Sequence, residues 1–94
     1  MAHLATHSPT GDTFTDWIEA RGSKLVDVSI SGGTTSTVTI QRSYDGSTAL
    51  VVEQHTSDAE RVLQSGAFKY FRVGVKTGDY VDGATLRIEA GNAY

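Results

Sequence analysis

Tyr70-Phe71-Arg72-Val73-Gly74-Val75-Lys76, a break at Thr77-Gly78-Asp79, then Ala84-Thr85-Leu86-Arg87-Ile88-Glu89-Ala90 is the stretch that decides the fold. Phe71, Val73 and Val75 fall on one side of a two-residue repeat, with Tyr70, Arg72, Gly74 and Lys76 on the other. Ala84, Leu86, Ile88 and Ala90 likewise alternate with Thr85, Arg87 and Glu89. Successive side chains of a strand point to opposite faces, so both runs read as strands with one face on a core and one face wet.

Upstream the same period recurs. Val26, Val28 and Ile30 alternate with Asp27 and Ser29 until Ser31-Gly32-Gly33-Thr34 interrupts them. Val38 and Ile40 alternate with Thr37, Thr39 and Gln41. Asp45-Gly46-Ser47 then signals a hairpin, because Asp-Gly supplies the positive φ angles of tight primed turns, and Leu50–His55 is the return strand. Phe14–Ala20, closed by Arg21-Gly22, reads as a strand. Ser57–Gln64 has two readings, since Ser57 and Glu60 have capping-box spacing: a short helix, or a turn at Ser57-Asp58 leading into a strand at Arg61–Gln64. The β context favours the second. Twelve threonines and nine valines suit a pleated surface. The expectation is an all-β chain, a single small antiparallel β-sandwich of about seven short strands in jelly-roll or immunoglobulin-like order. It spans residues 13–94. Residues 1–12, polar and carrying the only proline, Pro9, form an extended N-terminal arm, either a mobile tail or a segment ordered against another subunit.

Composition narrows the function classes. Ninety-four residues make one domain, and apolar residues with glycine total 42 of them, at the lower edge for a self-sufficient core. Eight Lys plus Arg against eleven Asp plus Glu leave a net charge of -3, which provides no field for phosphate neutralisation and argues against nucleic acid as a partner. No cysteine is present, and no apolar run approaches the ~20 residues of a membrane span. Met1–Gly11 lacks the charged start and apolar stretch of a signal peptide.

Chemistry-bearing groups are few. His3 and His7 have metal-ligand spacing only on a helix, which their segment does not support. His55 and Glu53 share a strand face, and an enzyme reading needs a cleft that brings them together. Asp79 and Asp82 offer two side-chain ligands for calcium and are read as turn formers. Ser31-Gly32-Gly33 lacks the lysine and helix of a phosphate loop. Ser43–Thr48 resembles a shortened Asp-box, itself a structural hairpin device. No catalytic, metal or cofactor-binding residue is assigned, and no cofactor is expected. Trp17, Tyr44, Tyr70 and Tyr80 would be a sugar platform if exposed and coplanar, while packing roles are the simpler reading.

Three stretches together resemble a group of small β-sandwich proteins of tailed bacteriophages: Asp16-Trp17-Ile18-Glu19; Thr37–Gly46; and Tyr70–Tyr80 ahead of the last strand. The string Arg72-Val73-Gly74-Val75-Lys76-Thr77-Gly78-Asp79-Tyr80 is the most specific part. The resemblance implies a non-enzymatic virion component, with a capsid decoration, or cement, protein as the favoured type. It further implies homotrimers on the outer capsid surface that clamp subunits of the major capsid protein, the protein being made in the host bacterial cytoplasm, with no membrane or nucleic-acid partner. It assigns no catalytic residue, and residues 1–12 do not align. A tail- or fibre-associated adhesin for host glycans, built on Trp17, Tyr44, Tyr70 or Tyr80, and a head-tail connector component are the alternatives.

Overall fold

The structure, a computed structural model, describes residues 4–8, 13–20, 25–33, 35–76 and 78–90. Eight strands lie among them: β1 Leu4–His7, β2 Ile18–Glu19, β3 Leu25–Ser31, β4 Val38–Ser43, β5 Leu50–His55, β6 Ala59–Gln64, β7 Tyr70–Val75 and β8 Thr85–Ala90. They form two four-stranded antiparallel sheets, β1-β8-β3-β6 and β2-β7-β4-β5. First pairs with last, second with seventh, third with sixth and fourth with fifth. This is a long hairpin ribbon rolled into a sandwich, the order of a jelly roll.

The core is what the alternation selects. Val26, Val28 and Ile30 of β3, Phe71, Val73 and Val75 of β7, and Leu86 and Ile88 of β8 are buried, joined by Ile18, Val38, Ile40 and Leu63. Ser57–Gln64 takes its strand form: β6 starts at Ala59, directs Ala59 and Leu63 at the core and leaves Val62 outside. Asp58 does not begin a helix, because its carboxylate accepts hydrogen bonds from the Gly33 backbone N–H at 3.1 and 3.2 Å. Of the segment read as an arm, Leu4–His7 is an edge strand registered on β8 of the same chain, with Ala5 packed on the core. Residues 1–3 and 9–12 lie outside the described residues.

The expectation of a wet outer face, drawn for β7 and β8, holds for β8, where Thr85 and Arg87 are exposed, and fails for β7, with the outward residues of β4 covered as well. Thr39 and Gln41 are buried, and so is Gly74. Along the outer side of β7 runs the bulged segment 13–20. Phe14 bridges Gly74 and Thr15 N–H donates to the Val73 carbonyl, yet Ile18 pairs with Phe71. Two residues, Asp16 and Trp17, therefore oppose the single residue Arg72. The strand expected over Phe14–Ala20 is thus interrupted, and only Ile18–Glu19 is regular. The extra residue lets Thr15 and Ile18 both turn inward while Phe14 and Trp17 pack on Arg72 outside.

Gly74 is what permits this close approach. A Cβ there would run into the Phe14 Cα and the Thr13 carbonyl, which are backbone and have no rotamer to yield. Gly74→Ala is therefore expected to pry residues 13–15 off β7 and to destabilise the fold by about 1–3 kcal/mol, the range for overpacking, read as a lower urea midpoint.

Candidate binding face

The hairpin between β4 and β5 is closed by a six-residue loop, not a tight primed turn. Asp45 Oδ1 accepts from the Ser47 and Thr48 backbone N–H groups, each at 2.9 Å, and from Ser43 Oγ at 2.9 Å. Ser43 Oγ in turn accepts from the N–H groups of Asp45 and Gly46. These bonds hold the Asp45 carboxyl well below the usual carboxylate range. Gly46, at φ 81°, lays the loop against the Tyr70 ring. At the other end of the sandwich, Asp82 accepts from Thr35 N–H at 2.8 Å and Thr35 Oγ1 at 3.0 Å, and Ser36 Oγ donates to the Asp82 carbonyl at 2.9 Å. Asp79 closes a turn through its N–H on the Lys76 carbonyl. Asp79 and Asp82 thus have turn and loop roles, as read. Ser31 Oγ donates to the Thr85 carbonyl and the Gly33 N–H to Asp58.

The histidines separate. His3 lies outside the described residues. His7 Nε2 meets Thr13 Oγ1 at 2.7 Å. His55 Nε2 and Glu53 Oε1 do come together, at 2.9 Å, but Glu53 is also gripped by Arg61 through two bonds of 2.8 and 2.9 Å. Glu53 and His55 point from β5, and Arg61 from β6, into the gap between the sheets, so this cluster seals the β5/β6 side of the sandwich. A bulge at Val52, which packs on the core while Ile40 pairs with Glu53 and Gln41 with Val51, finishes that edge. Inward charge and a bulge are standard ways to blunt a strand edge. Three clefts lined by described residues lie near Leu25 and Gly66, between Leu4–His7 and Phe14–Ile18, and around Asp27, Arg61 and Arg87, so that Arg61 borders one of them while Glu53 and His55 line none of the three. Among the described residues there is no group of three or more His, Asp or Glu placed to hold a metal ion.

The two outer faces differ in charge. On the β1-β8-β3-β6 sheet, Arg87 pairs with Glu89 at 2.7 Å and Ser29 Oγ donates to Glu60. Asp27 lies directly opposite Glu89. On the β2-β7-β4-β5 sheet one cation stands at the centre. The Arg72 guanidinium lies over the rings of Phe14 and Trp17, 4.6 and 4.4 Å from their centroids, and its Nε donates to Gln41 Oε1 at 2.8 Å. Gln54 Nε2 donates to Thr39 Oγ1 beside it. Pairing registers run this row across the sheet as Asp16/Trp17, Arg72, Gln41, Val51.

Of the aromatics read as a possible platform, each has its own partner. Trp17 carries Arg72, Tyr70 carries the Gly46 loop, and Tyr44 stacks on Phe68 at 3.9 Å. Arg42 covers Phe68 as well, 3.9 Å from its centroid. Tyr80 is half-buried. Arg72 escaped the sequence reading because its neighbours at Phe14 and Trp17 are almost sixty residues away, and the one-residue bulge that aims them leaves no pattern of its own. Compared with protein-family models, with curated proteins and with solved structures, the chain finds no match in any of the three.

The Glu53 cluster has a pH signature. The Arg61 bonds, aided by His55, depress the Glu53 carboxyl to about 2. A depressed carboxylate contributes stability above its unfolded pKa of about 4.3 and loses it as pH falls through the folded value. Thermal melts are expected to weaken progressively from about pH 5 to pH 2, and Glu53→Gln should flatten that slope while lowering stability at pH 7.

Proposed function

We propose that this domain is a non-enzymatic structural protein of a tailed-phage virion, a capsid decoration protein that seats on the outer head as a homotrimer and ties neighbouring major capsid subunits together. Its warrant in the sequence is the likeness carried by Asp16–Glu19, Thr37–Gly46 and Tyr70–Tyr80. The observation that carries it in the structure is the grouping of exposed aliphatic side chains on strands. Leu25 and Val62 are diagonal neighbours on the outer face of the β1-β8-β3-β6 sheet, 47 % and 60 % exposed, and Val51, 49 % exposed, stands on the outer face of the other sheet. Single exposed aliphatics are ordinary, but a neighbouring pair on one face and a further valine on the other of so small a sandwich suit a protein that is covered when assembled. The chemistry-bearing side chains support the same reading, since Asp45, Glu53, Asp58 and Asp82 are all committed to holding loops and edges.

The test is co-sedimentation of the purified protein with heads assembled from the major capsid protein encoded alongside it. Saturable binding is expected, with the domain's melting temperature rising on the head as mass action requires. Absence of binding to both unexpanded and expanded heads overturns the proposal.

A further inference from the structure

Arg72 is a half-buried cation that has no carboxylate partner among the described residues. Asp16, which the bulge places opposite it, is exposed and makes no ion pair with it, and the acidic partners described elsewhere belong to Arg61, His55 and Arg87. Burial pulls the guanidinium below the usual arginine value. Such a charge is costly to desolvate unless something compensates it. Two aromatic rings and the Gln41 amide do so only in part: they fix the plane of the guanidinium and occupy Nε, and leave the two terminal nitrogens without a protein acceptor among the described residues. What is left is a rigid N–H edge of the kind that grips a carboxylate.

The surroundings select the carrier of that carboxylate. The faces of Phe14 and Trp17 toward Arg72 are already occupied, so a sugar ring cannot stack on them beside the guanidinium. Across the same row lies Val51, 49 % exposed. An immobilised arginine stacked on a tryptophan has the composition of a protein-binding hot spot, and the exposed valine two strands away offers it an apolar flank.

We infer that the outer face of the β2-β7-β4-β5 sheet is a docking surface for a protein that presents a glutamate or aspartate flanked by apolar side chains, with Arg72 as the anchor for that carboxylate. The inference deepens the decoration reading and rests on it for the identity of the partner, which would be the capsid subunit.

Trp17 is the only tryptophan in the chain, so its fluorescence reports directly on the Arg72 site. The probe is a capped leucine-glutamate-leucine peptide, with the glutamine peptide and glucuronate as comparisons. The glutamate peptide should change Trp17 emission saturably, and loss of the charged pair, either by the glutamine peptide or by Arg72→Gln, should weaken binding about 10- to 100-fold. Arg72→Lys, which keeps the charge and loses the fork, should fall between, and it serves if Arg72→Gln unfolds. Equal responses to both peptides, or undiminished binding by the Arg72 variants, overturn the inference. Tighter binding of glucuronate than of the peptide overturns the choice of a protein partner. Heads that bind the wild type and Arg72→Gln equally overturn the docking face alone, whereas a positive peptide titration without head binding overturns the decoration reading alone.

Discussion

Two backbone seams convert a ribbon into this domain. The hairpin pairings alone would leave one long, two-stranded antiparallel ladder with its apolar side unshielded. The β3–β8 seam, from Val26 opposite Ala90 to Ser31 opposite Thr85, and the β4–β7 seam, from Val38 opposite Val75 to Ser43 opposite Tyr70, fold that ladder over itself. Every central strand then has hydrogen-bonded neighbours on both sides, and the apolar sets of all four meet in one layer. The remaining features are consequences of closing that roll: the inward Glu53–Arg61 pair and the Val52 bulge finish the β5/β6 side. Leu4–His7 and the 13–20 segment finish the other.

The sheets came out unequal because of one extra residue. Without the Asp16/Trp17 bulge, Phe14 and Trp17 would fall on opposite faces, and Arg72 would lose one of its two rings. With it, the outer face of the β2-β7-β4-β5 sheet becomes a packed surface in its own right, burying Thr39 and Gln41 and immobilising a guanidinium. The same bulge that satisfies the core with Thr15 and Ile18 thereby shapes the outer face on which the proposed partner would sit. In the proposed role the modest apolar share of the chain has a reason, since aliphatic side chains outside the core would be covered by another protein.

Much of this was legible in one dimension. The alternation in Val26–Ile30, Phe71–Val75 and Ala84–Ala90 identified the core correctly, because period-two placement is imposed by the strand itself and needs no knowledge of neighbours. It misread β4 and β7, because whether an outward residue is wet depends on what lies over it. Thr39 and Gln41 are polar and sit at outward positions, and Gln54 and Arg72 reach them from distant sequence. The pairing of Glu53 with His55 could be read from their two-residue spacing, but the arginine that commits that carboxylate comes from the neighbouring strand of the other sheet.

By itself, then, the amino-acid order determined that the chain is all-β, which face of each central strand is apolar, and that aspartates such as Asp45 and Asp82 serve loops. Each follows from bonded geometry within a few residues. Only the tertiary structure decided that the strands take jelly-roll order, that Leu4–His7 lies on β8 of its own chain, and that Arg72 is caught between Phe14 and Trp17. Those outcomes depend on how hydrogen-bonded edges far apart in sequence satisfy one another, and on a single bulged residue whose effect exists only across a sheet.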